Sequence, residues 1–208
     1  MVNAKINQTT DLQLCSVPFI LSCLMEPINK NTLLEQLEEK TEAQLQEVIA
    51  LFQNRNEELL LRPAVNGGWS IAQCLEHLNS YGHYYLPRMS NALDQYKGTP
   101  KETFKSSWLG AYFIRIMDPK TSKSKYKAFK DHQPAVSLDA HAVVAEFIRQ
   151  QEVLLLLLRQ AKKADLNKIR IPISIMKWLR LKLGDVFQFI IAHNERHLQQ
   201  AKKVRTEN

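Results

Sequence analysis

An all-α fold, a four-helix bundle with long crossover connections, follows from three observations on the sequence. Four long stretches carry apolar residues at helical spacing. Strand signals are few, and two segments between the stretches are long enough to cross a bundle end. The chain has 208 residues, with 45% hydrophobic and 24% charged side chains, enough for one globular core. That composition excludes a wholly disordered chain, and six Gly and three Cys exclude collagen-like and disulfide-scaffold classes.

The first helix is expected from about Asn31 to Leu61, capped by Asn31 or Thr32 and stopped by Pro63. Leu33, Leu34, Leu37, Leu45, Val48, Ile49 and Phe52 supply its apolar face. The second is the best defined. Ser70 and Gln73 form a capping box after the Gly67-Gly68 break, and Ile71, Cys74, Leu75, Leu78, Tyr85, Leu86, Met89 and Leu93 follow at helical intervals. Pro87 inside this pattern predicts a kink or a split near Leu86.

A third helix is expected from a Ser137 cap to Ala164, and its run Val153–Leu158 is apolar on several faces. The fourth covers about Leu183–Val204. Lys162, Lys163, Lys202, Lys203 and Arg205 fall near helix C-termini, where cations oppose the dipole, so they carry little functional weight. Residues 165–182 contain Ile169-Arg-Ile-Pro-Ile-Ser-Ile175, a short extended piece in which Pro172 argues against a central strand.

Residues 1–30 are expected to be an N-terminal extension and 31–208 the bundle, with a basic aromatic connector over 97–136. Met25 is a second candidate start, which would place the first 24 residues upstream of the native chain. Leu12–Met25 is too short and too interrupted by Pro18 to span a bilayer, and it lacks a secretory cleavage pattern. Cys15, Cys23 and Cys74 show no paired or zinc-ribbon spacing, which predicts free thiols and a cytoplasmic protein.

The net charge is +7, with a pI near 9.3. The connector carries eight lysines and Arg115 against Glu102, Asp118 and Asp131, a surplus of +6. Phe104, Trp108, Tyr112, Phe113, Tyr126 and Phe129 are interleaved with those cations. The run Trp108–Met117 is too apolar for a nucleic-acid grip, so a lid or short helix across the bundle end is expected. Beside a cleft, such a lid favours an anionic small molecule over nucleic acid or membrane.

Of six histidines, His193 and His197 alone have a spacing that carries meaning on a helix. Four residues apart, both imidazoles can reach a single ion. By rotation at 100° per residue, His197 lies roughly 40° and His193 roughly 80° from the centre of the apolar stripe. An unpaired imidazole there is costly, and a ligand is reasonable. Glu195 falls on the opposite side, so the string is not a peptidase HExxH.

His77 on the second helix is the candidate third ligand. At roughly 120° from its stripe, it reads more readily as a core-edge hydrogen-bonding histidine on periodicity alone. Gln200 shares the side of His193 and His197 and reads equally as their hydrogen-bond partner or a solvated amide. Trp69 is expected to pack the helix start. His83, His132 and His141 are expected to be structural or exposed.

Gly68-Trp69-Ser70, Leu75-Glu-His77-Leu78 and His193-Asn-Glu-Arg-His197-Leu-Gln-Gln200 together resemble the DinB/YfiT-like superfamily over about Leu33 to Val204. The resemblance implies that His77, His193 and His197 bind one divalent metal, with Gln200 on the family's glutamine position. Zinc, nickel, manganese and iron all accept imidazole and are not distinguished. It further implies a metal-dependent transferase of low-molecular-weight thiols, or a hydrolase, acting on a small molecule such as an anionic thiol. A homodimer is also implied. A bundle that binds metal or ligand without catalysis is the alternative.

Overall fold

The computed structural model describes residues 25–122 and 127–207. Four helices form the bundle: α1 (Lys30–Leu51), α3 (Ile71–Asp94), α5 (Ala140–Ala161) and α6 (Leu183–Glu207). Two shorter helices, α2 (Glu57–Leu61) and α4 (Trp108–Met117), lie in the connections. The bundle closes as a ring in which α1 packs on α5, α5 on α3, α3 on α6 and α6 on α1. The successive pairs α1–α3 and α5–α6 therefore sit on diagonals. α4 packs on the outer side of α6, so the apolar part of the connector is a helix, as its composition requires.

The long first helix of the sequence reading is broken in two. Phe52 closes α1, and Asn56 starts α2 by accepting the Leu59 amide at 3.2 Å. The N-cap of α1 is Asn29, whose Oδ1 accepts from Asn31 and Thr32 at 2.9 and 3.1 Å, in place of Asn31 or Thr32. α5 begins at Asp139, whose carboxylate takes the Ala142 amide at 2.9 Å, later than the Ser137 cap expected, and it ends before Ala164. α3 runs unbroken through Pro87, and the Ser70–Gln73 box is formed reciprocally at 3.1 Å. No split occurs, because an exposed Pro87 loses one hydrogen bond while Leu86 and Met89 stay anchored in the core.

Two small antiparallel ribbons complete the fold. β1 (Ile28–Asn29) pairs with β2 (Thr103–Phe104), tying the start of α1 to the connector. β3 (Arg170–Ile173) pairs with β4 (Met176–Lys182), with Pro172 opposite Arg180 and a shift between Pro172 and Ile173. A two-stranded ribbon has only edges, so Pro172 is tolerated.

The core is divided. One apolar cluster includes Leu34, Met89, Leu154, Leu158, Val186 and Phe187; the other includes Phe52, Leu75, Phe147, Leu198 and Val204. Buried polar residues from all four bundle helices fall between them: Thr41 and Gln44, His77 and Asn79, Gln150 and Gln151, His193 and Asn194. Several are paired, with Asn194 Nδ2 on Gln151 Oε1 at 3.0 Å and Gln44 Nε2 on the Ile191 carbonyl at 3.0 Å.

Where α4 meets α6, Gly110 lies against the fully buried Asp185, which accepts the Ser107 hydroxyl at 2.7 Å and amide at 3.2 Å. A Cβ at residue 110 would collide with that carboxylate. Gly110→Ala is therefore expected to cost about 1–3 kcal/mol despite alanine's better helix propensity, measurable by urea unfolding.

Candidate metal centre

The polar layer widens at one place into a cluster of imidazoles. His77 is held in the second turn of α3 by the capping box, and His193 and His197 project from successive turns of α6. One ring nitrogen from each lies within 4.8 Å of the others. Among the described residues this is the one group of three or more His, Cys, Asp or Glu side chains that converges so closely.

Hydrogen bonds on the outer side fix which nitrogens face inward. His77 Nδ1 lies 2.7 Å from the carbonyl oxygen of His132, an atom that only accepts, so Nδ1 carries the proton and Nε2 presents a lone pair. His197 Nδ1 faces Gln200 Oε1 at 3.1 Å and donates in the same way. His77 Nε2 is 3.2 Å from His193 Nε2. Two nitrogens bound to one tetrahedral zinc at 2.0–2.1 Å would be about 3.3 Å apart, so this pair has ligand spacing.

Burial opposes protonation throughout. His77 and His193 are each 3% exposed. Desolvation pushes His77 down to about 4 and His197 to about 3; His193, with the charges of His197 and His77 added, falls well below the usual imidazole value. Three neutral nitrogen donors, two of them with the far ring nitrogen bonded to an oxygen, are what a divalent transition metal takes. The residues fit the ion.

Aromatic rings enclose the cluster. Trp69, at the helix start, has its ring centroid 4.9 Å from His77 and 5.8 Å from His197. Tyr81 presents edges to His77 at 5.1 Å and His193 at 4.6 Å, and Phe189 stacks on His193 at 5.7 Å. Trp69 therefore packs more than the helix start. Glu195 turns away to Gln44 and Gln199, at 3.4 and 2.8 Å.

The rotation estimate misorders the two α6 histidines: His193 is the more buried, and His197 is only partly so. His77, expected on a flank, is buried because the 3-10 turn Lys130–His132 lies over it. His132 takes the structural of its two expected places: it is 5% exposed and stacks on Tyr81 at 3.8 Å, beside the cluster. Its neighbour Pro134 and lack of periodicity gave no hint of this. His83 pairs with Glu146 at 2.8 Å on the surface and His141 is exposed, both away from the cluster. Cys74 is buried with its thiol pushed up to about 12; Cys15 and Cys23 lie outside the described residues, as do Lys123, Lys125 and Tyr126 of the connector.

A family model described as the DinB superfamily matches residues 40–201. The chain belongs to the DinB superfamily. The matched span holds all three histidines and Gln200. The chain is similar to a solved structure described as YfiT from Bacillus subtilis, "a probable metal-dependent hydrolase with an unusual four-helix bundle topology". The identity is 18%, over 84% of this chain and 85% of that one, with a TM-score of 0.47. No curated protein matches. Among the described residues, no helix is long and apolar enough to cross a membrane.

Proposed function

We propose that this DinB-superfamily chain is a divalent-metal-dependent enzyme that transfers a thiol to a small molecule or hydrolyses one. His77, His193 and His197 would hold the ion. The observation that carries this reading is the convergence of three imidazole nitrogens within 4.8 Å in surroundings that keep them unprotonated. An ion held by three neutral donors supplies Lewis acidity and lowers the pKa of a water or thiol nucleophile.

The chain's own residues supply the rest. Trp69, Tyr81 and Phe189 exclude bulk water from the imidazoles and so strengthen electrostatic interactions there. Beyond His132 an open cavity of about 210 Å³ is lined by Phe129, Lys130, Asp131, His132, Ser174 and Ile175. Lys130 there offers a cation to an anionic substrate, and Phe129 and Ile175 offer apolar contact. A second reading, metal binding without catalysis, is favoured by the near-complete burial of His77 and His193.

Elemental analysis of protein purified without an affinity-histidine tag tests the shared premise, with one divalent ion per chain expected. Loaded protein is then assayed with thiol cosubstrates and electrophiles, and with hydrolysable esters and amides. One ion without turnover favours the second reading. Protein that binds no ion defeats both.

A further inference from the structure

We propose that Ser80 and His132 form a hydrogen-bonded clamp that positions His77 for the metal. This rests on the metal reading above and extends it to residues outside the ligand set. The clamp is a closed circuit of three bonds. Ser80 Oγ donates to the His77 carbonyl one helical turn back, at 2.7 Å. The hydroxyl's single proton is thereby committed, so its oxygen accepts from His132 Nδ1 at 2.9 Å. The His132 carbonyl in turn accepts from His77 Nδ1 at 2.7 Å.

The circuit does two things. It fixes the tautomer of His77, leaving Nε2 as the lone-pair atom beside His193. It also pins the Lys130–His132 turn onto α3, through a side chain in one direction and a backbone carbonyl in the other. Neither bond from His132 is helical or local in sequence; 52 residues separate it from Ser80 and 55 from His77. The ring of His132 is also stacked on Tyr81, whose edge faces both His77 and His193. Ser80 and His132 thus act through His77 and are positioning residues. A turn that also walls the neighbouring cavity thereby becomes part of the ligand set's support.

Zn²⁺ affinity, measured by competition with a chromophoric chelator, tests the clamp on four variants. Ser80→Ala removes the central hydroxyl. His132→Phe keeps a ring to stack on Tyr81 and deletes its hydrogen bond. Each is expected to bind Zn²⁺ about tenfold more weakly, because the His132 carbonyl that accepts from His77 Nδ1 is kept but the turn carrying it is no longer pinned to α3. The double variant should be no weaker than the worse single one, because either change opens the circuit. Ser80→Thr, which keeps the hydroxyl, should bind like wild type.

A role confined to folding would shift the metal-free unfolding midpoint and leave affinity unchanged. ¹⁵N spectra of the metal-free protein supply a second readout, with a protected His77 Nδ1 proton in wild type that exchanges rapidly in Ser80→Ala. If Ser80→Ala does not fold, His132→Phe against Ser80→Thr makes the same comparison. Wild-type affinity in His132→Phe, or losses that simply add in the double variant, overturns the clamp alone. Wild-type protein that takes up no Zn²⁺ overturns the metal reading and the clamp with it.

Discussion

His193→Ala is expected to leave the protein without stoichiometric metal, with a loss of affinity beyond the hundredfold or so typical of outer-partner changes. His193 is a full member of the cluster and the more buried of its two α6 histidines. Its ring contacts His77 at 5.0 Å and His197 at 4.8 Å between centroids, and its Nε2 is the atom 3.2 Å from His77 Nε2. Truncation leaves two nitrogens on facing helices, too few to outcompete water for a divalent ion. His77→Ala and His197→Ala should also release the ion. Ligand that binds only the folded state raises stability by about 2.7 kcal/mol at a hundredfold excess over Kd. Added Zn²⁺ should therefore raise the melting temperature of wild type and leave His193→Ala unmoved. Retention of one ion per chain by all three variants would show that the ion sits elsewhere.

Local pattern encodes one part of this molecule and packing creates another. The capping box at Ser70, the stripe of α3 and the i,i+4 pair on α6 are properties of contiguous residues, and each was legible. The break after Phe52 was not, because Leu59, Leu60 and Leu61 continue an apolar pattern that masks the new cap at Asn56. β4 alternates outward Trp178 and Arg180 with inward Leu179 and Leu181, but its basic residues and the nearby Pro172 concealed a strand in a short connection.

The site divides in the same way. His193 and His197 announce themselves by spacing, whereas His77 needed the resemblance to a family. His132 had no local signal: its role comes from a carbonyl and a ring meeting α3 across 55 residues of chain. The polar layer was equally hidden. Gln44, Asn79, Gln150 and Asn194 each look like ordinary polar interruptions of a stripe, and only their common level in the bundle makes them the boundary between two apolar cores.

Burial of that layer predicts that the metal-free protein loses stability steeply on acidification, starting near pH 6.5. His77, His193 and His197, with His132 in the same direction, all have folded values below the 6.5 of an unfolded imidazole, chiefly through desolvation. The unfolded chain therefore binds more protons, and stability rises with pH. The contribution is complete above pH 6.5. It drains away as pH falls toward about 4 for His77 and about 3 for His197. Each group adds a slope of about 1.4 kcal/mol per pH unit inside its window, so three together give about 4. Against a total stability of about 5–15 kcal/mol, a slope of that size is a large share of the whole for each pH unit. Glu146, held down to about 2 chiefly by hydrogen bonds from Arg149, acts in a separate window, since its contribution fades only below 4.5. Urea unfolding at intervals between pH 7 and 4.5 should show an uptake of about three protons near pH 5. His197→Gln should reduce that uptake by about one. A flat profile across this range would mean that the imidazoles take up protons equally in the folded and unfolded chain, so that burial does not hold them neutral.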